Sequence, residues 1–155
     1  MTQQRNLRAE WFKWVAPALV LQGLLCGGVA LADDKSVIEY RQHLMKSLDG
    51  QAAALGQIVS GAAPDDNAAA HMEALALTAA IALRAFEPKV AGGDSKPEIW
   101  TKWPDFSKRM QEFAQKSAEA TREIKAKGKN ADLATLIVDS LNCKGCHEIY
   151  RREKK

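Results

Sequence analysis

Apolar residues recur at three- and four-residue steps along the chain after residue 35, and no segment shows the strict alternation of a strand. Between residues 36 and 60 the stripe is Ile38, Arg41, Met45, Leu48, Ala52, Leu55 and Val59. Ser36 with Glu39 predicts a capping box at its start, and Gly61 and Pro64 predict its end. A second helix, capped by Asp65, Asp66 or Asn67, carries Met72, Leu75, Ala79, Ala82, Leu83 and Phe86 and stops before Pro88. A third is predicted over 104–127, with Pro104 in the first helical position and Phe106, Met110, Phe113, Ser117, Ala120 and Ile124 inward. Gly128 and Asn130 form a turn. A fourth helix follows over 131–152, with Leu133, Leu136, Ile137, Ser140 and Leu141 on its apolar face.

Four helices joined mostly by short links predict an all-α fold, an antiparallel up-down-up-down four-helix bundle. The connection over 87–104 exceeds the usual length of about 2–8 residues. Ile99, Trp100 and Trp103 predict that it is pinned to the bundle by its own side chains.

The first thirty-two residues have a different character. Arg5, Arg8 and Lys13 precede an uncharged apolar run over 15–31, which closes as Ala30-Leu31-Ala32. This is the pattern of a secretory signal peptide, with cleavage after Ala32. The domains are therefore read as 1–32, signal peptide, and 33–155, folded domain. An uncleaved anchor would need about 18 apolar residues, and Gln22, Gly23, Gly27 and Gly28 weaken that reading. Cys26 follows Leu25, which is too large for a lipoprotein signal.

Composition narrows the classes. A chain of 155 residues is short for a barrel enzyme of about 250. The net charge of +3 is spread without blocks of like charge, which argues against a nucleic-acid arm. Beyond residue 32 the charges nearly balance, and only Cys143 and Cys146 remain.

Those two cysteines stand in Cys143-Lys144-Gly145-Cys146-His147, a C-x-x-C-H run and the attachment signal of c-type haem. Thiols three positions apart on a helix share a face and can bond two vinyl groups along one porphyrin edge. The adjacent imidazole serves as proximal iron ligand. A zinc knuckle would need further ligands, and only His43 and His71 are left for it. A redox C-x-x-C site belongs beside a βαβ unit, and a plain disulfide leaves the histidine unexplained. Haem also requires space between helices. Ala52, Ala53, Ala54, Ala79, Ala80 and Ala82 suit that need, with Leu48, Leu83, Phe86, Phe113 and Ile137 as its apolar wall.

With these residues the chain resembles the class II c-type cytochromes, the cytochrome c′ group. The attachment motif at the C-terminal end, the loop Gly92-Gly93-Asp94-Ser95-Lys96-Pro97-Glu98-Ile99-Trp100 and the opening Tyr40-Arg41-Gln42 carry the resemblance. Cytochrome c′ is itself a standard example of the up-down-up-down bundle. The resemblance implies one covalently bound haem c per chain, on Cys143 and Cys146, with His147 as proximal ligand. It implies that Arg41 and Gln42 lie near the haem propionates and that Arg151 flanks the proximal imidazole. It also implies that Met45 occupies the distal position, where methionine marks the low-spin branch and a non-ligating residue the gas-binding one. Met on an apolar stripe is otherwise an ordinary core filler. Met72 and Met110 are weaker ligand candidates, and His43 and His71 are expected to be exposed.

The expected function is a periplasmic one-electron carrier with His/Met ligation, not an enzyme. The alternative is a five-coordinate protein that binds NO or CO as sensor or scavenger. Expected partners are transient redox proteins, met through a basic end formed by Lys144, Arg151, Arg152, Lys154 and Lys155. Neither nucleic acid nor, after signal removal, a membrane is expected as a partner. Relatives of this group commonly dimerise through their first two helices, so monomer and homodimer both stand. A haem-sized cavity should lie between Met45 and His147.

Overall fold

A computed structural model describes residues 33–128 and 131–153. The signal segment and part of the Gly128–Asn130 turn lie outside the described residues. The elements are α1 (Asp34–Val59), α2 (Ala68–Ala82), α3 (Glu98–Thr101), α4 (Trp103–Lys127), α5 (Leu133–Ser140) and α6 (Cys143–Tyr150). Short 3-10 turns, Asp65–Asn67 and Leu83–Phe86, flank α2. The four arms of the bundle are α1, α2, α4 and the broken pair α5–α6, and among the described residues there is no strand.

Two helix boundaries differ from expectation, each through a side-chain cap. Asp33, not Ser36, caps α1: its carboxylate accepts the Ser36 backbone N–H at 2.7 Å. That charge-assisted bond holds the Asp33 carboxyl below its ordinary pKa. The predicted fourth helix is two helices. Leu141 and Asn142 interrupt it, and the Asn142 side chain accepts the Gly145 N–H at 3.3 Å. An asparagine offers the backbone a local partner in place of a continued ladder. The helix that carries the cysteines therefore starts afresh at Cys143.

The segment Asp65–Phe86 has a mean hydropathy of 1.3 and is long enough to cross a membrane. Its packing explains that hydropathy. Met72, Leu75, Ala79 and Ala82 are each 1% exposed or less, because α2 is covered by both α1 and α4. Buried small residues on α2 and α4 (Ala76, Ala79, Ser117, Ala120) let these helices approach closely.

The core falls into two clusters. One joins Leu55, Ile58, Met72, Leu75, Ile124 and Ile137. The other joins Leu44, Phe86, Ile99, Phe106, Met110 and Tyr150. The long connection belongs to the second cluster, as its aromatic residues predict. Ile99 is 2% exposed, and Trp100 Nε1 donates to the Phe86 carbonyl at 2.8 Å. The connection also contacts the chain just after α6. The Lys96 N–H donates to Tyr150 O at 3.0 Å, the Arg152 N–H to Asp94 O at 2.8 Å, and Ser95 bridges to Arg151.

Leu55, fully buried on α1, should be sensitive to truncation. Leu55→Ala is expected to lower the unfolding free energy by about 2–5 kcal/mol, read from denaturant midpoints. Leu77→Ala, at a position 65% exposed, should stay within about 0.5 kcal/mol of the parent.

Candidate functional site

An apolar cavity of about 500 Å³ lies where the two core clusters meet. This is within the range of about 300–1,000 Å³ typical of ligand sites. Leu75 borders it from one cluster, and Phe86, Ile99, Phe106, Met110 and Tyr150 from the other. From α1 it receives Arg41, Gln42, Met45, Leu48 and Ala52; from α6 it receives Cys143, Cys146, His147 and Tyr150. All seven site residues expected from the sequence, Arg151 among them, thus line one cavity.

The α6 residues owe their position to Tyr150. Its ring is 3% exposed and meets Phe106 edge-on at 5.2 Å between centroids. Its hydroxyl donates to Asp105 Oδ2, which also accepts from Arg109 Nε at 2.6 Å. These two bonds, Arg109's first, hold the Asp105 carboxyl below its ordinary pKa. Burial, reinforced by Asp105, pushes the Tyr150 hydroxyl up to about 12.

Both thiols of α6 are free. Cys143 is exposed and Cys146 half-buried, and burial raises the pKa of each. His147 is half-buried. Burial, with Arg151 beside it, lowers its pKa, and the Asp49 carboxylate opposes that shift in part. The shift favours the neutral imidazole, the form that binds a metal ion.

Met45 is half-buried on the cavity wall and packs against the second cluster. Met110 lines the same cavity, whereas Met72 lies away from it in the other core. His43 is exposed, as expected. His71 is half-buried instead, because its Nδ1 reaches Gln51 Oε1 across the α1–α2 interface at 2.7 Å.

Arg41 is 3% exposed. Its Nε, Nη1 and Nη2 donate to the carbonyls of Ala85, Val90 and Pro88 at 2.7, 2.6 and 2.5 Å. The guanidinium also lies 5.1 Å from the Phe86 ring centroid and 5.2 Å from that of Trp100. Burial lowers its pKa. Although Arg41 borders the cavity, these three donors serve the connection after α2.

Comparison with known proteins agrees with this geometry. The family model described as Cytochrome C′ matches residues 36–151. Cytochrome c′ of Alcaligenes xylosoxydans xylosoxydans is 29% identical over 125 residues, covering 79% of this chain and 98% of that protein. Cytochrome c-556 of Agrobacterium fabrum is 28% identical over 143 residues, covering 88% and 94%. Among solved structures, the nitrosyl complex of a cytochrome c prime variant from Alcaligenes xylosoxidans superposes with a TM-score of 0.71 at 28% identity, covering 79% of this chain and 99% of that one. The chain belongs to the cytochrome c′ family.

As a cytochrome c′ family member it is a haem c protein, and its residues fit the group. The cavity has apolar walls, two free thiols sit one helical turn apart on one side of it, and the His147 imidazole adjoins them. The alanines do not supply the space as expected. Only Ala52 of that set lines the cavity. Ala79 and Ala82 are buried in helix packing, and Ala53 and Ala80 face solvent. Leu48, Phe86 and Phe113 do form its wall, while Leu83 and Ile137 do not.

Periodicity alone did not single out Asp105 and Arg109, the pair that receives Tyr150, nor Asp49 near the attachment helix. Asp105 and Arg109 stand four apart, the spacing of a helical ion pair. That was the available signal, but many such pairs are ordinary surface features.

The raised Tyr150 pKa gives a pH test. Its folded value lies above that of an unfolded tyrosine, near 10, so the contribution to stability is full below about pH 10. It is then lost as pH rises toward about 12. Tyr150→Phe should be less stable near neutral pH and should lose this alkaline component. Chemical denaturation at stepped pH values measures both.

Proposed function

We propose that this cytochrome c′ family protein is a periplasmic one-electron carrier in which His147 and Met45 are the axial ligands. Met45 carries the reading: its thioether belongs to a half-buried side chain on the wall of the cavity that His147 also lines. Bound haem supplies a one-electron iron couple, and a His/Met pair raises its potential by favouring ferrous iron. The chain's own part is to hold both ligands in rigid helices and to exclude water with Phe86, Phe106 and Phe113. Cys143 and Cys146 anchor the group covalently, and Gln42 at the α1 end of the cavity is the reading for a propionate neighbour. Arg151, through its effect on His147, is the proximal neighbour.

Export by residues 1–32 belongs to the same reading. Asp33 caps α1 by itself, so a domain starting after Ala32 would keep its first helix intact. Partners are read as acidic redox proteins meeting the exposed Lys144, Arg151 and Arg152 around α6. An excess of cations at the docking end speeds encounter more than it strengthens binding. Exposed Tyr40, Leu77 and Ile81 on α1 and α2 support a homodimer through those helices. The function needs no nucleophile or general base, and the protein is read as a carrier, not an enzyme.

A second reading is supported by the nitrosyl complex among the structural relatives. If Met45 does not bind iron, the same cavity face would admit NO or CO. Optical spectra of the exported holoprotein separate the readings. Electron transfer predicts a low-spin ferric spectrum with a far-red methionine–iron band that Met45→Ala abolishes, while Met110→Ala retains it. A high-spin spectrum in the parent, with rapid complete reaction of the ferrous form with carbon monoxide, would favour gas binding.

A further inference from the structure

We propose that Arg41 is a positioning residue: it clamps the connection after α2 onto α1, and through it couples the wall bearing Met45 to the end of α6. Arg41 lies one helical turn before Met45 on the same face of α1. It gathers three carbonyls from a six-residue stretch, Ala85, Pro88 and Val90. Two aromatic rings, Phe86 and Trp100, flank it. Only a planar fork with several fixed donors can do this, and lysine cannot imitate it.

Just beyond the clamp the chain runs against α1. Gly92 and Gly93 have φ of 139° and 56°. The backbone requires glycine at Gly92, and the connection there runs so close to α1 that a Cβ would stand 2.5 Å from Ile38 Cδ1, the far end of that side chain. The next residues join the end of the attachment helix: Asp94 O accepts from Arg152, Ser95 bridges to Arg151, and Lys96 donates to Tyr150 O. The chain of contacts thus runs from α1 through Arg41 and the connection to the C-terminal end of α6. Both ends of that chain border the cavity. If the clamp opens, the separation of the two walls is no longer set.

This inference goes beyond the axial reading of Met45, and its test does not depend on it. Two readouts on the holoprotein are used: native-state trypsin cleavage at Lys89–Val90, and the association rate of carbon monoxide with the ferrous form. Lys89 is exposed, and the bond after it lies between two of the carbonyls that Arg41 holds. In Arg41→Lys, which keeps the charge and loses the fork, cleavage should rise about tenfold, and carbon monoxide should bind faster. Gly92→Ala strains the connection at a φ of 139° without touching Arg41 and should move both readouts the same way. Parental behaviour of Arg41→Lys in both would overturn the proposal, since charge alone would then suffice. Faster cleavage with an unchanged carbon monoxide rate in both variants would overturn it too, leaving Arg41 a merely structural residue. Should Arg41→Lys fail to fold, Gly92→Ala decides by the same two criteria. A high-spin parent would remove Met45 as ligand and leave both comparisons intact.

Discussion

An eight-residue helix cannot hold itself together in water, yet α6, with only eight residues, carries every covalent and proximal contact expected of this protein. Its place is therefore set from outside. At its start, Asn142 replaces a missing ladder bond with a side-chain cap. At its end, Tyr150 is buried against Phe106 and bonded to Asp105, and its carbonyl accepts from Lys96. The cysteines and the histidine lie between two fixed points. The geometry of the cavity follows from that anchoring.

The cavity in turn explains why the core is split. Leu55, Met72 and Leu75 pack in one region, and Phe86, Phe106 and Tyr150 in the other. Aromatic rings at 5.1–5.2 Å around Phe106 give the second region stiff walls. Rigid walls fix the shape of the haem site.

Charge is distributed with the same economy. Lys144 on α6, with Arg151 and Arg152 just beyond it, lies on the exposed surface. The buried cation, Arg41, is satisfied by carbonyls and rings. Asp105 gathers Arg109 and Tyr150, both of which line the cavity. Among the described hydrogen bonds none engages the His147 imidazole, and burial favours its neutral form, in keeping with a ligand role.

By itself the sequence determined the helical elements, the attachment motif and the family. Each rests on local information: a 3.6-residue period, a cap or a breaker, and five consecutive residues of fixed spacing. It also marked Met45 as facing inward. The break before Cys143 was legible in principle, since asparagine is a strong cap, but the apolar stripe running up to Leu141 masked it. Tertiary structure alone decided which inward residues border the cavity and which fill helix interfaces. Ala52 and Ala79 look alike on their stripes, yet only Ala52 meets the cavity. It also decided the partners of Arg41, which lie 44 to 49 residues away. The physical reason is that periodicity reports which face of a helix turns inward, whereas what that face meets depends on how helices distant in sequence pack together.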